Sequence, residues 1–361
     1  MKNIKELASG FVDAEEKLNN AKEIIVFGAS SGGRKVKTYL ETSMKLRVHY
    51  FVDNDPKKWD TIIEDVPILS PFQLSTLYSS LANPLICIAS DWAKDIACQL
   101  REMGIKNYID LTYWFDRSDC FDYNELVGHL MELERVYSLL VNEQSRETFL
   151  SILEYRKSLD PICLKVSEFD QYCHPCIDFA GCRVLFDVGA WTGDTAIKFA
   201  KLMSKESKIV AFEPTPDSLI LLCQNIHEKG FGGKVIPVTI AVSDKSGYAW
   251  LRLNSISSSN YIASSGDILV RVTALDDFIN ETGMVPDIIK MDIEGSEMAA
   301  LCGLKDTIIN HHPNLQVCIY HRCEDLWGIP LFLKNLQPCY KFYIGHHAIN
   351  HCETVLYAVC N

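Results

Sequence analysis

Residues 184–195 read Val-Leu-Phe-Asp-Val-Gly-Ala-Trp-Thr-Gly-Asp-Thr, an apolar run of strand length that breaks at Gly189 and Gly193 and leads into Ala196-Ile197-Lys198-Phe199-Ala200. The pattern is strand, glycine turn, helix. The apolar residues at 197, 200 and 202–203 give that helix one buried face. Glycines let backbone amides approach a ligand closely, at a helix start that favours negative charge. A tight strand–helix turn with nothing bound would read the same way, because many α/β folds contain one.

The next strand narrows the choice. Lys208–Pro214 reads KIVAFEP and ends in Glu213. A carboxylate at the end of the second strand is placed to accept hydrogen bonds from both hydroxyls of a ribose. The two motifs together predict a site for an adenosine-containing ligand. Gly189-Ala190-Trp191-Thr192-Gly193 lacks the G-x-G-x-x-G spacing of dinucleotide-binding turns. A D-x-G-x-x-x-G turn looks instead like S-adenosylmethionine binding.

Further stretches follow in register: Ala241-Val242-Ser243-Asp244-Lys245-Ser246-Gly247, Ile288–Glu297 reading IIKMDIEGSE, and Glu353–Ala358 reading ETVLYA. Tyr137–Arg156 and Gln171-Tyr172 precede them. In this order they resemble the FkbM family of S-adenosylmethionine-dependent methyltransferases, over about residues 125–361. The resemblance implies an α/β fold: a C-terminal class I methyltransferase-like Rossmann sheet ending in an antiparallel strand. The expected cofactor is S-adenosylmethionine. The turn formed by Gly189, Ala190, Trp191, Gly193, Asp194 and Thr195 should hold its methionine end, with Asp187 near the ammonium. Glu213 and Pro214 should face the ribose, and Ala241 and Val242 the adenine.

The chain has 361 residues, which predicts two domains. Hydrophobic residues make up 48% and charged residues 23%, the balance of a globular protein with a substantial core. No apolar run approaches the roughly 20 residues that span a bilayer. The polar N-terminus is not a signal peptide, so a cytoplasmic location is expected. A net charge of −12 and the lack of a dense Lys/Arg cluster argue against a nucleic-acid partner. Fourteen cysteines without a secretory signal are expected to be reduced thiols. Cys173-His174-Pro175-Cys176, with Cys182 nearby, has the spacing of half a zinc site, but a second C-x-x-C is absent.

Before the resemblance begins, a smaller Rossmann-like unit is predicted at residues 1–115. After a short helix over 1–20, Glu23–Phe27 is a strand running into Gly28-Ala29-Ser30-Ser31-Gly32-Gly33. Val48–Val52 is the second strand and ends in Asp53. Pro84–Ala89 and Lys106–Ile109 continue the sheet. Gly28, Gly32, Gly33 and Asp53 form either a nucleotide or nucleotide-sugar site or the remnant of one in a docking domain. The pattern resembles the small Rossmann-like domains attached to sugar-modifying enzymes. Residues 116–180 read as a helical connector, and 181–361 as the methyltransferase domain. Within that domain Lys234–Val242 is the expected third strand. The polar stretch Asn254–Asp267, between strands at Tyr248–Leu253 and Val270–Thr273, is either a lid over the substrate or a disordered crossover.

Ligands of an open α/β sheet bind outside the carboxyl ends of its strands. Asp292 ends the fourth strand and His321 the fifth, and both are the expected catalytic residues. His321 is the better base by intrinsic pKa. Asp292 and Glu294 could instead only cap the helix that starts at Ser296, and Lys290 and Glu297 could be a structural ion pair. Tyr172, His346 and His347 are the candidates for substrate contact. His321 could share a metal with Asp292, but none is expected, because no acidic pair follows the fifth strand. The function expected is O-methylation of a sugar hydroxyl in a nucleotide sugar or surface glycan, with polyketide and lipid hydroxyls as the other acceptors the family spans. A non-catalytic S-adenosylmethionine or nucleotide sensor is the competing reading. A dehydrogenase ranks last, for want of a Tyr-x-x-x-Lys set. The expected partner is a small-molecule or glycan acceptor, and homo-oligomerisation is left open.

Overall fold

A computed structural model describes residues 14–112, 123–254 and 260–360. The expected helix over 1–20 is seen from Ala14 to Asn20 (α1), and residues 1–13 lie outside the described residues, as do 113–122 of the connector and 255–259 of the polar loop. The chain divides into two compact units. One comprises Met1–Glu134, Arg146–Val166 and His346–Cys352; the other comprises Arg135–Ser145, Ser167–Gly345 and Glu353–Asn361. Residues of the expected connector are thus shared between the two.

In the first unit β1 (Glu23–Phe27), β2 (Val48–Val52), β3 (Ile62–Ile63), β4 (Val66–Leu69), β5 (Pro84–Ile88) and β6 (Tyr108–Asp110) form one sheet in the order β3-β4-β2-β1-β5-β6. All its pairings are parallel except that of the short β3 with β4. β1 is buried on both faces: Ile24 and Val26 enter one core and Ile25 and Phe27 the other. That explains its unbroken apolar run, as expected of a central parallel strand. Helices α2 (Ser31–Thr42), α3 (Pro71–Tyr78) and α4 (Ala93–Glu102) cross between strands. The β3–β4 hairpin and α3 were not apparent in the sequence. Helices α5 (Tyr123–Gly128), α6 (Leu130–Leu139) and α7 (Glu143–Ser158) follow in the chain.

The second unit is built on seven strands: β7 (Val184–Val188), β8 (Lys208–Phe212), β9 (Val235–Val238), β14 (Ile288–Met291), β15 (Asn314–Cys318), β16 (Lys341–His346) and β17 (Thr354–Val359), in the order β16-β17-β15-β14-β7-β8-β9. β9, β8, β7, β14 and β15 run parallel, and β17 is antiparallel to β15. Chain order reverses between β7 and β14, which makes their carboxyl ends the crevice of the sheet. Helices α8 (Asp194–Leu202), α9 (Pro216–Glu228), α10 (Leu275–Thr282), α11 (Glu297–Cys302), α12 (Lys305–His311) and α13 (Asp325–Leu336) connect the strands. Phe278 of α10 packs edge-on against Phe186 and Phe212 at 5.7 and 5.0 Å between ring centroids, locking that helix to the centre of the sheet.

Three local differences from the sequence reading matter for the site. The single strand expected over Lys234–Val242 is two: after β9 the chain turns, with Ile240 N–H donating to the Val238 carbonyl, and β10 (Ala241–Val242) leaves the main sheet. β10 then joins β11 (Gly247–Arg252), β12 (Tyr261–Ala263) and β13 (Ile268–Thr273) in a second sheet, ordered β10-β13-β11-β12. The polar loop therefore contains a strand, β12, that pairs antiparallel with β11. Finally, the helix expected from Ser296 breaks at Gly303, where any Cβ would meet the Ser243 carbonyl oxygen at 2.4 Å. Cys339 is joined to Cys360, against the expectation of reduced thiols throughout; the other described cysteines are free.

Candidate active site

The turn after β7 is held by backbone. Gly189 has φ +83°, and a Cβ there would lie 1.9 Å from the Asp292 carbonyl oxygen, so the chains leaving β7 and β14 touch directly. The N–H groups of Gly189 and Ala190 both donate to the Phe212 carbonyl, at 3.1 and 3.0 Å. Gly193, at φ +87°, precedes α8. Only glycine fits such a left-handed turn without strain.

Glu213, at the end of β8, completes this corner. It accepts the Trp191 N–H at 3.0 Å and the Thr215 N–H at 2.8 Å. Burial pushes its carboxyl up, opposed by those same hydrogen bonds. Asp187 points the other way. It is fully buried, 3.1 Å from Lys290 Nζ, and accepts the Thr195 hydroxyl at 2.6 Å. Lys290 Nζ also donates to the Gly189 carbonyl at 2.7 Å. Burial opposes the charge of Lys290, but the Asp187 and Asp292 carboxylates outweigh it and hold the ammonium above the usual lysine range. Burial pushes the Asp187 carboxyl up as well. We read the pair as charged, because Asp187 has both the ammonium and the Thr195 hydroxyl to stabilise its carboxylate. Glu297 was one possible partner for Lys290; the partner it takes is Asp187, across β7 and β14.

An open cavity lies over these strand ends. Val188, Gly189 and Trp191 form one side, with Glu213, Pro214 and Thr215 beside them. Ile240, Ala241, Val242 and Leu251 supply an apolar wall, and Asn260, Tyr261 and Ile262 close over it from β12 and the residue before it. Asp292, Ile293, Glu294 and Ser296 line the far end. Of the expected cofactor residues, Gly189, Trp191, Glu213, Pro214, Ala241 and Val242 line the cavity. Ala190, Gly193, Asp194 and Thr195 shape the turn behind it, and Asp187 is spent on Lys290 and Thr195. The cavity residues Asn260, Tyr261 and Ile262 carried no signal beyond lying in a polar loop.

Asp292 is the hub of the far end. Its Oδ2 accepts the Tyr172 hydroxyl at 2.8 Å, and the Tyr320 hydroxyl lies 3.4 Å from Oδ1. Burial disfavours its charge, yet Lys290 and His321 outweigh that and hold the carboxyl below its usual range. His321 is 3% exposed and does not line the cavity, so the expected base stands behind Asp292 rather than facing a substrate. Its Nδ1 is 2.7 Å from Glu297 Oε1, and its Nε2 is 3.4 Å from Asp292 Oδ1 and 3.6 Å from Glu294 Oε1. Burial opposes imidazolium charge, but Glu297 and Glu294 more than offset this and raise its pKa well above the usual value. A protonated imidazole has no lone pair with which to act as a base. Tyr172 is buried and supports Asp292 rather than lining the cavity. His346 and His347 do not line it either; burial drives His346 down to about 4, keeping it neutral.

In the first unit, Gly28 (φ +117°) would place a Cβ 2.4 Å from the Ala89 carbonyl oxygen, and Gly33 one 1.8 Å from the Gly28 carbonyl oxygen, whereas at Gly32 the nearest atom is 3.4 Å away. Asp53 is used within the fold. It accepts N–H bonds from Ala29 and Asp55, both 2.8 Å, and pairs with Lys58 at 2.8 Å. Near β7, the Cys173–Cys176 stretch gathers only a pair, His174 Nδ1 against Cys176 Sγ at 2.7 Å. Among the described residues it is not one of the groups of three that could hold a metal.

Residues 187–337 match the model of the methyltransferase FkbM domain. A crystal structure of methyltransferase FkbM from Methylobacillus flagellatus superposes with a TM-score of 0.75 at 18% identity, over 98% of this chain and 95% of that one. More remote matches include precorrin-6y C5,15-methyltransferase from Geobacter metallireducens (TM-score 0.35, 12% identity, 50% of this chain and 82% of that one). Aeropyrum pernix fibrillarin, solved with natively bound S-adenosyl-L-methionine, is another (0.34, 12%, 51% and 69%). A search among curated proteins by sequence returns no match. No helix among the described residues is long and apolar enough to cross a membrane. Residues 187–337 thus match the methyltransferase FkbM domain, and the chain shares its fold with an FkbM methyltransferase over 98% of its length.

Proposed function

We propose that this chain is an S-adenosylmethionine-dependent O-methyltransferase acting on a hydroxyl of a nucleotide sugar or glycan. The observation that carries the reading is the charge pattern of the cavity. Its walls are apolar, yet carboxylates stand at both ends, Glu213 at one and Asp292 with Glu294 at the other. That suits a ligand with a hydroxylated ribose, a flat base and positive charge at the reacting end. Glu213 would take the ribose hydroxyls, and Ile240, Ala241, Val242 and Leu251 would face the adenine.

The cofactor supplies a methyl group already activated by a sulfonium. The chain's own residues have to align an acceptor oxygen opposite the sulfur and receive its proton. Asp292 is the group for this. It lines the cavity, and Tyr172 and Tyr320 fix its orientation. With cofactor and acceptor bound, Asp292 would receive the proton that the acceptor hydroxyl gives up on methylation. His321 and Lys290 position that carboxylate. The apolar wall and β12 keep bulk water from competing as acceptor. The small Rossmann-like unit, with Gly28, Gly32 and Gly33 at its turn, is proposed to dock the sugar-bearing acceptor.

Asp292→Asn keeps the shape of the side chain and removes the proton acceptor. It is expected to lower the single-turnover methyl-transfer rate by about 10²–10⁴-fold while leaving S-adenosylmethionine affinity within a few-fold. The assay is transfer of an isotope-labelled methyl group to a panel of nucleotide sugars. Wild-type turnover in the variant would move the base elsewhere.

A further inference from the structure

We propose that Asp292, Glu294 and His321 form a site for one first-row divalent cation, of the Mn²⁺ or Zn²⁺ class, at the acceptor end of the cavity. One ligand atom from each of the three residues lies within 4.8 Å of the others. His321 Nε2 is 3.4 Å from Asp292 Oδ1 and 3.6 Å from Glu294 Oε1. Two ligands bonded to one ion at about 2.1 Å stand roughly 3.0–3.5 Å apart across octahedral or tetrahedral angles. The two distances from Nε2 therefore need at most a few tenths of an ångström of closure. Metal was not expected from the sequence, because no acidic pair follows the fifth strand. The oxygens come instead from the loop after β14, and the strand-end histidine completes them.

The surroundings match a cation site in three further ways. First, His321 Nδ1 lies 2.7 Å from Glu297 Oε1, a buried carboxylate that also accepts the Ile293 N–H at 2.8 Å. With an ion in place of the Nε2 proton, such a carboxylate–histidine pair would keep the remaining proton on Nδ1 and turn Nε2 toward the ion, an arrangement that recurs behind metal-bound histidines. Second, Asp292 and Glu294 line the cavity while His321 lies behind them. An ion held by all three would keep its open positions toward the cavity, as catalytic sites do. Third, the local charge is in excess. Asp292, Glu294 and Glu297 stand around the His321 imidazole, and Lys290, which also acts on Asp292, is paired with Asp187 at 3.1 Å. One nitrogen and two carboxylate oxygens favour a first-row metal over calcium.

The role this gives the site rests on the methyl-transfer reading: a bound cation would draw charge from the acceptor hydroxyl and ease loss of its proton to Asp292. Occupancy of the site does not rest on it. The test is therefore titration of chelator-treated full-length protein with Mn²⁺ alone, followed by electron paramagnetic resonance, with no cofactor or acceptor present. One bound Mn²⁺ per chain is expected. Glu294→Gln and His321→Ala should each weaken it by more than the roughly 10–100-fold that a change outside the ligand shell costs. His312→Ala should leave it unchanged, because the other group of three, His312 with Cys339 and Cys360, has its two sulfurs joined to each other. Glu294 sits at the cavity surface, so its variant keeps the test sound if His321→Ala fails to fold. No binding to wild type, or undiminished binding to Glu294→Gln, overturns the proposal. Separate S-adenosylmethionine binding by the same wild-type sample tells failure of the cation site from failure of the methyl-transfer reading.

Discussion

Gly189 shows how narrowly the site is built. Its φ of +83° and its 1.9 Å Cβ-to-carbonyl approach to Asp292 leave no room for a side chain. Gly230 has a similar φ, +74°, but a Cβ added there would meet nothing within 4 Å, so the two residues separate strain from collision. Gly230→Ala should cost only the left-handed penalty of about 1–2 kcal/mol. Gly189→Ala should cost several times that and abolish cofactor binding, because the ends of β7 and β14 must part. Thermal melts and cofactor titration of both variants check this, and equal effects would contradict the close approach. The turn was legible because glycine spacing after an apolar run reports a backbone requirement directly. The destination of Asp187 was not. A carboxylate at a strand end reads equally well as a ligand contact or as half of an ion pair, and only the neighbouring strand, with Lys290, decides between them.

At the scale of elements, the Lys290–Asp187 pair ties β14 to β7 and, through the Gly189 carbonyl, to the turn. Removing one partner of a buried pair leaves an uncompensated charge and costs about 3–5 kcal/mol, whereas replacing both by apolar groups can be nearly neutral. Lys290→Met is therefore expected to destabilise the second unit by that amount, and Lys290→Met with Asp187→Leu by clearly less. Urea unfolding of the four members of this cycle measures the coupling, and additive losses would contradict the pairing. The main strands were readable from their apolar runs, since buried parallel strands need no alternation. The second sheet was not. β12 has three residues, Tyr261–Ala263, in a polar stretch, and it exists because β11 offers an edge for it to pair with. Similarly, β10 follows β9 with only a two-residue gap, and the turn at Val238–Ile240 gives no Gly or Asn signal.

For the whole molecule, pH offers a test independent of the methyltransferase site. Asp110, in the first unit, is 1% exposed and accepts the Tyr155 hydroxyl at 2.9 Å. Burial pushes its carboxyl up to about 6. An unfolded aspartate titrates near about 4, so between about pH 4 and 6 the folded chain keeps a proton that the unfolded chain has released. The stability from this group is complete below that window and is lost as pH rises through it. Asp110→Asn should remove the dependence, so that wild type loses about 2–3 kcal/mol relative to the variant between pH 4 and 7. Parallel stability profiles would contradict it. The charge of −12 and the two-unit organisation follow from composition and length, but the assignment of a cofactor depends on one cavity. The most direct test of the account is calorimetric titration of S-adenosylmethionine and its demethylated product into wild type and Glu213→Ala. We predict one site per chain, weakened in the variant by about 1–3 kcal/mol through loss of charge-assisted hydrogen bonds. No binding to wild type, or binding of NAD in place of S-adenosylmethionine, would contradict it.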